Sequence, residues 1–210
     1  MKYLFAGLLF LLAVPAQAAG SATVLATGVP GGLTIEWLDI NHIRVDVKSQ
    51  PGYLLLLKKN SYHIANIGGQ KVATSLPVLA RLVGPKNLPK PPQTAANATK
   101  IISMNTSGAV FSVANIDGKI YDVTWADKAG LRHTEVAVLT SNATAIEFTK
   151  VLRRVGNVLS EVAEIENSDA LGRYLEQRQL GLLHFSDQLR VKSLFGATPP
   201  ISAFALPQYQ

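Results

Sequence analysis

Alternating apolar and polar side chains mark the strands in the first half of the chain. Leu33 to Trp37 and Ile43 to Val47 alternate, which indicates strands with one buried and one solvent-facing side. Tyr53 to Leu57 is apolar on both faces, so we expect this strand to be covered on both sides. The next predicted strands, separated by turn signals at Lys59-Asn60 and Gly68-Gly69, are Ser61 to Asn66 and Lys71 to Ser75.

A proline-rich segment separates this meander from a second one. Leu76 to Val83 is apolar and predicts a short helix or an irregular crossing, whereas Gly84 to Pro92 contains four prolines and predicts a loop. We interpret residues 84–99 as a long loop within one domain, because the two flanking halves resemble parts of one sheet. The later predicted strands, with a turn signal at Asp117-Gly118, are Lys100 to Asn105, Gly108 to Asn115, Lys119 to Ala126, Leu131 to Thr140, Leu180 to Phe185, Gln188 to Phe195 and Ala203 to Leu206.

The hydrophobic period changes from two to between three and four residues near position 143. An apolar stripe predicts an amphipathic helix of about Ala143 to Ile165. Its members are Phe148, Leu152, Val155, Leu159 and Val162. A shorter helix is predicted from Ser168-Asp169 to Gln179. The predicted fold is therefore mainly β with α: a curved antiparallel sheet (half-barrel) of about 11–12 strands, with the long amphipathic helix packed on its concave face.

The first eighteen residues have the three-part pattern of a secretory signal peptide. Lys2 precedes an apolar run from Leu4 to Val14, and Ala16-Gln17-Ala18 provides small residues for cleavage after Ala18. An uncleaved N-terminal anchor is the alternative, although the run is short of the about 20 residues that span a bilayer. The chain has no cysteine, which excludes a disulfide framework and fits a bacterial periplasm. We expect residues 19–210 to form a single exported domain.

The positive charge of the chain is concentrated in one segment. The formal net charge is +6, yet no Asp or Glu occurs between Val47 and Ile116. Such a segment attracts anionic partners, and it predicts contact with an anionic membrane or an acidic protein face in the envelope. A basic surface that only aids solubility explains the same pattern. The residues predicted to contact an anionic surface are Lys58, Lys59, Lys71, Lys86 and Lys90.

The chain resembles the periplasmic lipoprotein-carrier (LolA-like) superfamily, within a related family of uncharacterised exported bacterial domains. The similar segments are Leu33 to Trp37, His42 to Asp46, Gln188 to Leu194 and Ala203 to Pro207. The resemblance implies a half-barrel closed by helices, with a cavity between them that holds acyl chains. It assigns no functional role to any numbered residue of this chain.

The sequence contains no recognisable catalytic motif. The four histidines are scattered, no Gly-x-Ser-x-Gly motif is present, and the glycine pairs serve as turns. We therefore predict a non-enzymatic protein without cofactor, metal or nucleic-acid partner, although an enzyme with an unfamiliar site is a further alternative. Residues that line a cavity or its lid are predicted to be Trp37, Tyr53, Trp125, Phe148, Leu152, Val155, Leu159 and Val162, or else these residues form plain core.

Two functions follow from these patterns. The first is a periplasmic binding protein that holds a lipid or another apolar ligand in a lidded cavity. The alternative is an envelope adaptor that docks a protein partner or an anionic membrane surface and binds no small molecule.

Overall fold

The computed structural model describes residues 19–84, 98–166 and 168–208. This part of the chain folds into eleven β-strands, three α-helices and one turn of 3-10 helix. The predicted signal peptide and residues 85–97 of the predicted proline-rich loop lie outside the described residues. The strands are β1 Gly20–Ala26, β2 Val29–Asp39, β3 His42–Val47, β4 Tyr53–Leu57, β5 Asn60–Ile67, β6 Gln70–Ser75, β7 Lys100–Val113, β8 Ile116–Ala126, β9 Arg132–Thr140, β10 Gly181–Phe185 and β11 Leu189–Phe195.

All eleven strands belong to one open, curved antiparallel sheet, which confirms the predicted mainly β fold at this level. The strand order is β6-β5-β4-β3-β2-β1-β11-β10-β9-β8-β7. Six strands from before the proline-rich segment and five from after it are joined where β1 pairs with β11. The two halves of the chain therefore share one sheet.

The helices follow the edge strand β6 and the inner strand β9. Helix α1 is Leu76–Val83, α2 is Ala143–Val162 and α3 is Ala170–Gln177. Asn142 caps α2 because its side chain accepts a hydrogen bond from the backbone N–H of Ala145 at 3.1 Å. Within the described residues, no helix is long and apolar enough to cross a membrane.

Both faces of the sheet carry hydrophobic core. On β4, Leu56 belongs to the main cluster with α2, whereas Leu55 packs in a separate cluster with Phe204. On β9, Val138 belongs to the main cluster and Leu139 to a cluster with α3. Because adjacent strand residues point to opposite faces, β4 and β9 are covered on both sides, and the prediction for β4 is confirmed.

Several local predictions were wrong. The turn predicted at Lys59-Asn60 lies one residue earlier, because Asn60 belongs to β5 and pairs with Leu57. The segment predicted as a C-terminal strand, Ala203 to Leu206, overlaps a 3-10 helix at Ile201–Phe204, which buries Phe204 against β4 and β5. The turn before β8 lies at Ala114-Asn115, where both residues have positive φ, and not at Asp117-Gly118. The two strands predicted between residues 100 and 115 are one strand, β7, with an irregularity between Thr106 and Val110.

Candidate binding site

The first half of α2 is fixed in the main core. Phe148 is fully buried, and its ring lies 5.9 Å from that of Trp37, centroid to centroid. On β10, the backbone approaches the helix so closely that a Cβ on Gly181 would lie 2.5 Å from the carbonyl carbon of Ala145. Only glycine allows this approach, so this part of the predicted stripe is packed as core.

The second half of α2 is less closely packed. Successive side chains of an α-helix are rotated by about 100° around its axis. Relative to Phe148, the rotation is therefore about 20–80° for Leu152, Gly156 and Leu159, which share one sector of α2. Val155 and Val158 lie on one side of this sector, Thr149 and Ser160 lie on the other, and all four are buried. Leu152 and Leu159 themselves remain partly exposed, although they belong to the main core cluster.

Gly156 marks open space in this sector. A methyl group on Gly156 would meet no atom of the described residues within 4 Å, apart from its chain neighbours and the backbone of its own helix. We call the three residues Leu152, Gly156 and Leu159 the α2 seam. Val162, the last residue of the predicted stripe, ends the helix and is also partly buried, as is Leu79 of α1. The seam is thus an apolar, partly open strip with buried residues on both sides.

The predicted aromatic residues do not converge on this seam. Trp37 and Phe148 contact each other beneath α2, but Trp125 packs in the cluster that includes α3. The ring of Trp125 stacks on His133 with centroids 4.3 Å apart. Tyr53 lies in the third cluster, where the guanidinium carbon of Arg44 stands 3.9 Å from its ring centroid. The structure therefore brings together Trp37, Phe148 and the α2 stripe, without Tyr53 or Trp125.

The predicted basic residues also lie in different parts of the chain, and those that the structure describes do not form one group. Lys58 and Lys59 are exposed in the turn between β4 and β5, and Lys58 has a φ of 54°. Its backbone carbonyl accepts a hydrogen bond at 2.9 Å from Arg154, a residue that lies outside the segment without Asp or Glu. Lys71 lies on β6, with its ammonium nitrogen 5.9 Å from the ring centroid of Tyr53. Lys86 and Lys90 lie outside the described residues.

A polar cleft of about 370 Å³ lies between the end of α2 and the start of α3. Its lining includes Ser160, Glu161, Ser168 and Arg173. The nearby Arg153 bridges the two helices through hydrogen bonds to Asp169 and Glu176, and these bonds help to raise the pKa of its guanidinium against the opposing effect of burial. Sequence periodicity gave no signal for this cleft, because its residues come from helix ends and a loop.

Two histidine–carboxylate pairs are the main candidates for acid–base chemistry. The Nδ1 atom of His42 lies 3.0 Å from Asp39, and the Nε2 atom of His133 lies 3.0 Å from Asp127. The hydrogen bond from His133 lowers the pKa of Asp127, although burial opposes this effect. Within the described residues, no three His, Cys, Asp or Glu side chains are grouped closely enough to hold a metal ion.

Comparisons with protein-family models, with curated proteins and with solved structures found no match. The resemblance to the LolA-like superfamily therefore stays a prediction from the sequence.

Proposed function

We propose that the protein is a non-enzymatic binding protein of the periplasm that takes a lipid or another apolar ligand at the α2 seam. The observation that carries this proposal is the open space at Gly156, in a sector of α2 that has buried residues on both sides. Gly156 is partly exposed, so this space is open to solvent, whereas packed cores approach the density of organic crystals.

The proposal gives α2 two parts with different tasks. Its first half, around Phe148, anchors the helix to β10 and to the main core. In its second half, the side chains of Leu152 and Leu159 cover one side of the ligand site. In this proposal the curved sheet is a half-barrel and α2 lies on its concave face, as the proposed membership in the LolA-like superfamily implies.

The chemistry of the seam suits an alkyl chain better than a polar ligand. Leu152 and Leu159 are apolar, and Gly156 leaves room for a chain to pass between them. Each CH₂ group that moves from water into such a site contributes about 0.8 kcal/mol. A chain of several CH₂ groups could thus bind without a charged anchor in the seam itself.

The test uses the mature full-length chain purified without detergent. Organic extraction followed by mass spectrometry should detect a bound lipid, and titration with the neutral fluorescent probe N-phenyl-1-naphthylamine should show saturable binding that a fatty acid displaces. Absence of both an extracted lipid and saturable probe binding would contradict the proposal. It would favour the alternative of an envelope adaptor, which docks its partner or an anionic membrane through the basic residues.

A further inference from the structure

Three cations from distant parts of the sequence meet at one end of the sheet. The turn between β4 and β5 presents Lys58 and Lys59 to solvent, and Arg154 reaches it from α2. The backbone of Lys58 is held on both sides: its N–H donates to the carbonyl of Asn41 at 2.8 Å, and its carbonyl accepts from Arg154 at 2.9 Å. We call Lys58, Lys59 and Arg154 the basic corner.

Helix α1 begins beside the basic corner. Its preceding residue, Ser75, pairs with Tyr62, which lies three residues after Lys59. The outer side of α1 carries two exposed apolar residues, Val78 at 43% and Leu82 at 75% exposure, with the exposed Arg81 next to them. The inner side buries Leu76 and Ala80. A short helix with apolar residues on both sides thus flanks the three cations.

The charges around this surface are almost all of one sign. The segment from residue 47 to residue 116, which includes the β4–β5 turn and α1, contains no Asp or Glu. Asp39, from the adjacent β2–β3 turn, is 3.0 Å from His42. On α2, Glu147 is 2.6 Å from Lys150. Lys58 and Lys59 are therefore exposed to solvent with few carboxylates to offset their charge.

We propose that the basic corner and the outer side of α1 form a docking surface for anionic phospholipid membranes. Lys58, Lys59 and Arg154 would contact lipid phosphates, while Val78 and Leu82 enter the interface between headgroups and acyl chains. A protruding Leu82 suits a fluid lipid surface, because insertion there requires no groove of matching shape. This surface is separate from the α2 seam and does not depend on ligand binding there.

Sedimentation with vesicles tests this surface on the mature full-length chain. Wild-type protein should bind phosphatidylglycerol vesicles, bind phosphatidylcholine vesicles far more weakly, and lose binding as salt rises. The double substitution Lys58→Glu with Lys59→Glu should weaken binding to phosphatidylglycerol by about 30-fold or more, since each cation near an anionic surface contributes a factor of about five.

A matched control distinguishes binding at this surface from a general effect of the net charge of the protein. Lys119→Glu with Lys192→Glu makes the same change in net charge at exposed positions on β8 and β11, and should weaken binding less than about threefold. Leu82→Ser should also weaken binding, whereas Leu131→Ser, at a residue that is 62% exposed outside this surface, should not.

Equal binding of wild type to both vesicle types would overturn the proposal, as would equal losses in the two charge-reversed variants. Probe binding without vesicles should stay unchanged in every variant, so failure at this surface is distinguishable from failure of the α2 seam.

Discussion

The side-chain hydroxyl of Thr149 accepts a hydrogen bond from the backbone N–H of Leu182 at 2.7 Å and donates one to the carbonyl of Ala145 at 2.8 Å. It thereby connects α2 to β10 across 33 residues. Thr149 and Leu182 are both buried, so water cannot replace this hydrogen bond when the hydroxyl is removed.

Replacement of Thr149 by Val should therefore destabilise the protein by about 1–3 kcal/mol, because a buried donor loses a hydrogen-bond partner. Chemical denaturation measures the change. Thr134→Val removes a hydroxyl that contacts Thr124 on the exposed surface and should change stability by less than about 0.5 kcal/mol. Similar losses in both variants would show that the connection between α2 and β10 is not special.

Gly181 should be intolerant of a side chain for a related reason. Gly181→Ala places a methyl group 2.5 Å from the carbonyl carbon of Ala145 and should cost about 1–3 kcal/mol through overpacking. The comparison is Gly118, on β8, where a Cβ would lie 2.6 Å from a side-chain atom of Val138 and 2.9 Å from the backbone carbonyl oxygen of Leu139. Because the backbone obstacle lies farther away at Gly118 than at Gly181, Gly118→Ala should cost less, and a larger cost there would contradict this assignment.

Truncations along α2 should divide the helix at the point where packing changes. Phe148→Ala should cost about 3–5 kcal/mol, as expected in a packed core. Leu159→Ala should cost only about 1–2 kcal/mol, because fewer partner atoms are lost beside open space. Denaturation of the two variants measures both values. If Leu159→Ala costs as much as Phe148→Ala, the second half of α2 is ordinary core.

Stability should fall as the pH drops below neutrality because of His184. Burial lowers the pKa of this imidazole from its ordinary value of 6.5, and the charge of Arg190 lowers it further. Between the native pKa and pH 6.5, the unfolded chain binds more protons than the native chain. The contribution of His184 to stability is therefore fully present above pH 6.5 and decreases as the pH falls toward the native pKa. Thermal denaturation between pH 7.5 and 5 should show a smaller decrease in His184→Gln and in Arg190→Gln than in wild type. An unchanged pH dependence in both variants would contradict this origin.

Local pattern predicted much of the fold for clear physical reasons. Strict alternation in β2 and β3 reflects one buried face, and the uniform apolarity of β4 reflects two. The stripe on α2 identified its inward side, although the helix ends at Val162 and not near Ile165. These features depend on neighbours in sequence, which periodicity records.

Contacts between distant segments were not predictable in this way. Strand β1 was missed because its buried residues, such as Ala22 and Val24, lie in a short run of mostly small residues. Its pairing with β11 joins the two ends of the described chain. The bond from Arg154 to Lys58 spans 96 residues. The open space at Gly156 depends on what surrounds the helix, and a glycine inside a helix gives no sign of it.

The most direct test of the proposed ligand site compares two substitutions at Gly156. Gly156→Ala adds one methyl group where 4 Å of space is open, and it should stabilise the helix by about 1 kcal/mol and leave binding of N-phenyl-1-naphthylamine intact. Gly156→Phe fills the seam, so it should abolish saturable probe binding while the melting temperature stays near that of wild type. Undiminished probe binding in a folded Gly156→Phe variant would contradict the α2 seam as the ligand site.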